Sequence, residues 1–478
     1  MTWVIKIGGA PVFGVLLYFS QDSPILLPLA FPAFTGLFYI LDTFVQPGLR
    51  LLAITFFILA YSLATFSYLT HVANTPLGLI LVIIPWVIYT IPMLFSIFCK
   101  RRVVEAFAFA WLIGEIVFLT IPIGNPYLIA GTPLSYLPDA IQWYRYSGPI
   151  GGSIWLLGLS YLLYRTLIRK DMPYYALAFG VVLPVLCSLL IGWSVSDNGH
   201  RKDRTVGIVA LQADNIAIDS ILRQNKTVKC DYILSPEAIF SFSQSSISIH
   251  PKLTSIRRSL QDSLKNSTVF IGAYLILPDH TVTNSMVTYS REDTPQFRYK
   301  RRYIPFGEYL PWRSLLGEIT WINEAIPYEL TAVPNESEII RIGGDNISPL
   351  ICYEGIFLND MCDYCQQGAE IFFVSASNEM VNNMHCERQM VNINRANAIA
   401  TNRYIVRATQ EGLSYVVDNR GRIKNIHSVS DALIVQRVAL ISPLTFYCKY
   451  HDGIIFIYLF LCVGGLAWCL IRSLRKSV

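Results

Sequence analysis

Charge is what this sequence has least of. Aspartate, glutamate, lysine and arginine make up 15% of 478 residues, hydrophobic types make up 53%, and the mean hydropathy is +0.43. Soluble domains carry about 25% charged residues, so an ordinary soluble protein is excluded and a membrane protein is expected. The net charge of +5 is small; its basic residues gather beside apolar runs, and no nucleic-acid surface is read from it. Cysteine is sparse too, and ten in a chain of this length imply no disulfide framework. Cys362 and Cys365 are the one closely spaced pair, and with no second Cys-x-x-Cys or His-x-x-x-His partner they make no zinc site. Spacing leaves them as two free thiols or, outside the cytoplasm, a local disulfide. No metal and no cofactor is implied.

Apolar runs are plentiful. They fall at about 3–20, 25–41, 51–70, 77–98, 103–122, 150–168 and 174–194, each near the roughly 20 residues a helix needs to cross a bilayer. Lys6 and Gly8-Gly9 interrupt the first run and no small-residue cleavage pattern follows, so it reads as a retained anchor. With a cytoplasmic N-terminus, the inner loops hold Arg50, Lys100 to Arg102, Arg165, Arg169 and Lys170, while the outer short loops hold only Arg145. Residues 196–449 then lie outside, and a last run, Ile454–Ile471, returns the chain to the basic tail of Arg472, Arg475 and Lys476. The expectation is an α-helical transmembrane bundle of about eight spans, built from residues 1–195 and 450–478, with an extramembrane domain at 196–449. Within the bundle, Glu105 is expected at the interface and the deeper Glu115 in a structural hydrogen bond. The segment Pro126–Ser147, rich in Tyr, Trp and Pro, reads as an interfacial belt.

The hydrophobic period changes in the extramembrane domain. Thr205–Gln212, Asp231–Leu234, Thr268–Leu277, Ser285–Tyr289, Ile347–Ile351, Glu370–Ser375, Arg403–Thr409 and Ser414–Asp418 are short β-rich runs bounded by turn residues and predict strands. Pro251–Asn266, Phe357–Gln367 and Asn383–Asn402 carry helical patterns, and Asn419-Arg420-Gly421-Arg422 predicts a hairpin turn. Strands alternating with helices point to a layered α/β domain.

Within this domain the apolar run Asn346 to Ile351 delivers Cys352 and then Glu354. A thiol at the tip of a buried strand is held rigidly, with the N–H groups of the following turn facing a developing oxyanion. Upstream stand Leu234-Ser235-Pro236-Glu237 and the segment Tyr299-Lys300-Arg301-Arg302-Tyr303-Ile304-Pro305-Phe306-Gly307-Glu308-Tyr309. A carboxylate, an amine and a thiol thus occur in the order Glu237, Lys300, Cys352. A free thiol is mostly protonated at neutral pH and needs a base or a nearby cation to act as nucleophile; Glu237 and Lys300 supply the two.

That trio resembles the nitrilase superfamily. The wording around it, Tyr-Lys-Arg with Ile-Pro-Phe-Gly-Glu-Tyr and then Ile-Cys-Tyr-Glu-Gly, is similar to the bacterial apolipoprotein N-acyltransferases, over about Arg204 to Leu440. The resemblance implies a nitrilase-type α-β-β-α sandwich. It makes Cys352 the nucleophile, Glu237 the proton carrier, and Lys300 the oxyanion partner beside a backbone N–H near Tyr353. Glu308 and Glu354 would orient or neutralise Lys300, Tyr353 would pack behind the sulfur, and Arg395, Arg403 and Arg407 would be structural. The reaction implied is transfer of a fatty acyl group from a phospholipid to the amino group of diacylglyceryl-cysteine on an apolipoprotein, at the periplasmic face of the bacterial inner membrane. Three positions depart from the family pattern near the expected substrate surface: Ser235 replaces a frequent tryptophan, Glu379 stands where an aromatic pair follows Asn378, and Ala398 replaces a usual glutamate. Alternatives are a divergent relative of the conjugal-transfer type, a membrane-bound amidase, or a non-catalytic envelope scaffold. The segment Pro311 to Pro334, with Trp312, Leu315, Leu316, Ile319, Trp321 and Ile322, is expected to form a mobile lid that dips into lipid.

Overall fold

Each apolar run forms a helix in the computed structural model: Thr2–Phe19, Ala30–Thr43, Pro47–Phe66, Thr75–Ser96, Val103–Thr120, Tyr144–Leu163, Tyr174–Ser194 and Phe446–Leu474. The structure describes all residues except 1, 73–74, 196–199, 211–228, 245–266, 291–294, 325, 327–328, 380, 382, 429–431 and 476–478. The chain divides into two compact units, Met1–Ser196 with Asn383–Ala396 and Tyr450–Val478, and Asp197–Asn382 with Asn397–Lys449.

In the helical unit, five helices among the described residues are long and apolar enough to cross a membrane: Pro47–Phe66, Leu77–Ser96, Val103–Thr120, Tyr174–Ser194 and Phe446–Leu474. That is fewer than the eight expected. Trp3–Phe19 and Leu27–Thr43 are shorter apolar helices, and Tyr144–Leu163 is broken at Gly148, where φ is 62° and ψ −175°, just before Pro149. Trp111 anchors the packing, with the rings of Phe34, Tyr89 and Phe57 at 5.2, 5.3 and 5.9 Å. Glu115 is buried and accepts from Trp111 Nε1 at 2.7 Å and Ala130 N at 2.8 Å, the structural role expected of a carboxylate in apolar surroundings. Glu105 accepts from the Tyr161 hydroxyl at 3.0 Å.

The basic residues gather at one end of these helices. Arg50 is buried and caps carbonyls there, donating to Phe44 O (2.7 Å), Ile97 O (3.0 Å) and Lys100 O (2.9 Å). Arg169 stands 3.6 Å from Asp42, Arg165 pairs with Asp171, and Arg102 lies over the Trp468 ring at 4.1 Å. Elsewhere in the unit, residues 383–396 meet the 21–22 turn: His385 Nδ1 and Arg388 Nη1 lie 3.2 and 2.7 Å from Asp22 Oδ1, and Gln389 bonds Gln21.

The second unit holds thirteen strands among the described residues: β1 (His200–Ala210), β2 (Tyr232–Leu234), β3 (Phe240–Ser243), β4 (Thr268–Ile276), β5 (Val282–Tyr289), β6 (Gln296–Tyr299), β7 (Ile340–Ile342), β8 (Asp345–Ile351), β9 (Ile371–Ser377), β10 (Tyr404–Gln410), β11 (Leu413–Val417), β12 (Ile423–Ser428) and β13 (Ala432–Ile441). They form two sheets, ordered β13-β1-β2-β4-β5-β6 with β3 beside β4, and β12-β11-β10-β9-β8-β7. Central pairs such as β1 with β2 and β8 with β9 are parallel, as is β3 with β4, and the pairs at the ends of the two strand orders, such as β1 with β13 and β7 with β8, are antiparallel. One buried cluster joins the sheets, in which Phe373 meets Phe270 at 5.0 Å and Tyr232 at 5.7 Å, with Val206, Leu234, Ile351 and Val406 around them. Burying each such side chain contributes about 1.5–3 kcal/mol. This is the nitrilase-type α/β sandwich.

All eight predicted strands are present within a few residues of their expected bounds, as are the helices Leu358–Gln366 and Met384–Thr401. The expected helix Pro251–Asn266 lies outside the described residues. The hairpin turn closes with Gly421 N donating to Asp418 O at 2.9 Å, and Asp418 N to Arg422 O at 2.9 Å.

Candidate active site

Cys352 stands where β8 ends and a 3-10 helix, Cys352–Ile356, begins. Its φ is +50°, a conformation that costs a side-chain-bearing residue about 1–3 kcal/mol and persists only when its surroundings hold it. Two other such residues flank the same chemistry: Ala238 (φ 54°) follows Glu237, and Phe306 (φ 61°) lies in the loop after Lys300.

Glu237 follows β2 through Ser235-Pro236, and the backbone of Gly272 on β4 runs directly beneath it. A Cβ at Gly272 would sit 2.4 Å from Pro236 O and 2.6 Å from Glu237 Cα, so only glycine lets the strand pass. Glu237 Oε1 accepts from Asn284 Nδ2 at 2.7 Å and Lys300 Nζ at 3.0 Å, and Oε2 accepts from Ser377 N at 3.1 Å. Lys300, fully buried just past β6, also donates to Glu308 Oε1 at 2.6 Å. Glu308 Oε2 in turn accepts from Ile304 N at 2.8 Å. The structure therefore brings together Glu237, Lys300 and Glu308 as one buried cation between two carboxylates.

The electrostatics follow from that packing. Burial lowers the Lys300 ammonium's pKa, but Glu237 and Glu308 outweigh it and hold the value well above that of an ordinary lysine. Burial raises Glu308 against the opposing pull of Lys300. The Cys352 thiol is pushed up to about 12, by burial first and by the charge of Glu237, while the Lys300 and Arg407 cations pull the other way. The resting sulfur is thus a neutral thiol, and deprotonation must be coupled to transfer onto a base. Arg407, expected to be only structural, adds its field to the sulfur; it is buried and holds Thr409 Oγ1 at 3.1 Å and Asn378 Oδ1 at 3.4 Å.

Glu354 does not touch Lys300 directly. Its Oε1 accepts from Arg301 N (2.7 Å) and Arg302 N (3.3 Å), its Oε2 from Ile351 N (2.7 Å), and its carboxylate pairs with Arg298. One side chain so ties the residue before Cys352 to the residues after Lys300. The Tyr353 ring packs on Phe357, with centroids 4.8 Å apart, and the Phe357 ring lies beneath the Arg302 guanidinium at 4.3 Å. Neither Asn284 nor the Ser377 N–H is signalled by the sequence, because a mid-strand asparagine and a backbone group carry no motif.

Of the three departures, Ser235 is buried behind the site, where its hydroxyl accepts from Gly272 N at 3.2 Å, and Ala398 is buried in Met384–Thr401. Glu379, beyond the end of β9, is exposed. A cavity of about 710 Å³ lined by Arg301, Arg302, Asp360, Asp363, Tyr364, Gln366 and Gln367 holds none of Glu237, Lys300, Glu308 and Cys352. In the expected lid, Arg313–Leu316 and Thr320–Glu324 are short helices that leave Trp312, Leu315 and Trp321 47%, 73% and 47% exposed.

Known proteins align with both parts of the chain. Residues 211–435 match the carbon-nitrogen hydrolase family, and residues 13–162 match the apolipoprotein N-acyltransferase N-terminal domain. In both segments the chain is similar to the apolipoprotein N-acyltransferases. An apolipoprotein N-acyltransferase from Synechocystis sp. is 28% identical over 42% of this chain, and that match spans only 38% of the relative's length. The family member from Pseudomonas syringae pv. tomato is 24% identical over 78% of this chain and 75% of its own. Among solved structures, the C. elegans NitFhit protein covers 54% of this chain and 64% of its own, with 14% identity and a TM-score of 0.39.

Proposed function

We propose that this protein transfers a fatty acyl group from a phospholipid to the α-amino group of an S-diacylglyceryl-cysteine on an apolipoprotein, through a thioester on Cys352. The observation that carries the reading is the buried Lys300 held between Glu237 and Glu308, acting electrostatically on a strained cysteine at a strand end. Glu237 takes the thiol proton as Sγ attacks the ester carbonyl. Lys300 faces the negative charge that develops on the carbonyl oxygen, a role typically worth about 3–4 kcal/mol. The C–O bond breaks and the lysophospholipid alcohol leaves with the proton from Glu237. The acceptor amine then attacks the thioester and passes its proton to Glu237, the C–S bond breaks, and the thiolate recovers that proton. Apolar helices on the same chain suit a reaction in which both substrates are lipids.

The same reading places residues 196–449 in the periplasm and residues 1–195 and 450–478 in the inner membrane as about eight spans. The gathering of Arg50, Arg102, Arg165 and Arg169 at one end of the helices supports a cytoplasmic identity for that end. A cysteine engineered at Asp279 should react with a membrane-impermeant maleimide on intact spheroplasts; labelling only after lysis would reverse the topology. We infer that the exposed apolar residues of 311–334 form a lid that meets lipid. Hydrogen exchange there as slow as in β8 and β9 would remove the lid.

The experiment for the function is incubation of the purified protein with phospholipid labelled in its acyl chain and a diacylglyceryl-cysteine peptide. The expected result is label on the peptide's amino group. Release of the label as free fatty acid alone would make the protein a hydrolase, and no label on Cys352 would make it a non-catalytic relative.

A further inference from the structure

Three cysteines that the proposed chemistry does not use converge in one buried cluster. Cys362 and Cys365 lie on the helix Leu358–Gln366, and both are buried. Cys448 reaches them from the first turn of Phe446–Leu474, a turn set off from the remainder by a non-helical Tyr450 (φ −131°). Its Sγ stands 3.0 Å from Cys362 Sγ, across 86 residues of sequence. That is well inside the roughly 3.5–4.0 Å at which even carbon atoms make unbonded contact. Cys365 also interacts with the Cys448 sulfur.

The approach is built. Thr445 Oγ1 donates to Ala400 O at 2.5 Å, Cys448 N donates to Thr445 Oγ1 at 3.0 Å, and Gln366 Nε2 donates to Cys448 O at 2.7 Å. The Arg403 guanidinium fixes the preceding residues through Pro443 O (2.9 Å) and Ser442 O (2.7 Å). A local Cys362 to Cys365 bond is disfavoured, because Cβ atoms three residues apart on a helix lie about 5–6 Å apart and a disulfide needs about 3.5–4.5 Å.

We propose that Cys362 and Cys448 form a disulfide, with Cys365 remaining a thiol. The oxidant is an external disulfide, whether of a small molecule or a protein. The Cys448 thiolate attacks one of its sulfurs and displaces one thiol; the Cys362 thiolate then attacks the Cys448 sulfur of the mixed disulfide and displaces the second. Two S–H bonds are lost, one S–S bond forms, and the external disulfide leaves as two thiols. The cross-link fixes the helix that carries Asp360, whose carboxylate holds Arg302 two residues beyond Lys300. Its formation in cells rests on the periplasmic placement proposed above; the pairing itself does not.

The test uses full-length protein extracted without reductant, alkylated with a maleimide after denaturation, and mapped by mass spectrometry. The expected product is the Cys362 peptide joined to the Cys448 peptide, with Cys352 and Cys365 alkylated. Reduction should lower the melting temperature by roughly 5–10 °C. A sample reduced first and then treated with dithiodipyridine, a small aromatic disulfide, should regain the joined peptide. Cys448→Ala should remove both the joined peptide and the reductive shift, whereas Cys365→Ala should keep both. Alkylation of both Cys362 and Cys448 in both samples, or a joined Cys362–Cys365 peptide, would overturn the proposal. Protein that is reduced as isolated but joined by dithiodipyridine keeps the pairing and overturns the periplasmic placement.

Discussion

Arg298 and Lys300 stand two residues apart at the end of one strand, both fully buried and each between two carboxylates, yet the two clusters are built for different ends. The Arg298 guanidinium engages Glu338 at 2.9 Å and pairs with Glu354. The second oxygens of those carboxylates are taken by Arg301 N and Arg302 N on Glu354, and by Asn335 Nδ2 and Arg301 Nη1 on Glu338. Every member braces backbone or a fixed side chain. Lys300, by contrast, is a point charge between Glu237 and Glu308 whose field reaches the Cys352 sulfur. Residues two apart in a strand share a direction, so this one short segment supplies a brace and a reactive cation side by side. A buried ion pair by itself therefore identifies no catalyst; what separates the two is the Cys352 thiol within the field of Lys300.

The comparison can be broken at several points. Lys300→Ala also leaves two buried carboxylates without their cation, but its largest effect should be on the acyl transfer of the folded protein, which falls by about 10²–10³-fold, the typical cost of losing an oxyanion partner. Arg298→Met should act in the other direction, costing about 3–5 kcal/mol of stability by leaving Glu338 and Glu354 buried without their cation. At low temperature its remaining folded fraction should still form thioester. An Arg298→Met protein with unchanged melting temperature and no thioester would erase the distinction. Glu308→Gln removes one of two charged partners of Lys300 and should reduce turnover by roughly 10-fold to 100-fold, in line with about 1.5–3 kcal/mol for a charge-assisted hydrogen bond. Its melting temperature should move less than that of Arg298→Met.

The smallest effect is a matter of pH. Because burial and Glu237 raise the Cys352 thiol to about 12, the sulfur is protonated throughout the neutral range and its thiolate fraction grows as pH rises toward that value. Inactivation by iodoacetamide, measured without substrate, should accelerate through pH 10 without levelling. A plateau below pH 8 would mean a standing thiolate and a different mode of activation.

Much of this was legible before any coordinates. Glu237, Lys300, Glu308 and Cys352 carry family wording, and strands such as Ile347–Ile351 and Arg403–Thr409 carry unbroken β-branched runs bounded by turns. Strands β3, β6 and β7 carry no clear pattern because they are three or four residues long and mix polar with apolar side chains. β13 pairs with β1 along its length across more than two hundred residues, and no local feature announces that partner. The family resemblance pairs Glu354 with Lys300, whereas its bonds go to Ile351 N, Arg301 N and Arg302 N. The third member of the cysteine cluster was invisible for the same reason as β13: Cys448 lies 86 residues from Cys362. Five described helices meet the length and hydropathy of a crossing against about eight expected, because Trp3–Phe19 and Leu27–Thr43 are short and apolarity alone does not register the break of Tyr144–Leu163 at Gly148.

The most direct test of the central claim is intact-protein and peptide mass spectrometry of the purified enzyme after exposure to phospholipid in the absence of any acceptor. The account predicts a fatty acyl group on Cys352, absent from Cys352→Ala and from Glu237→Gln, and discharged when a diacylglyceryl-cysteine peptide is added. An acyl group on any other residue, or transfer to the peptide by a folded Cys352→Ala protein, would contradict it.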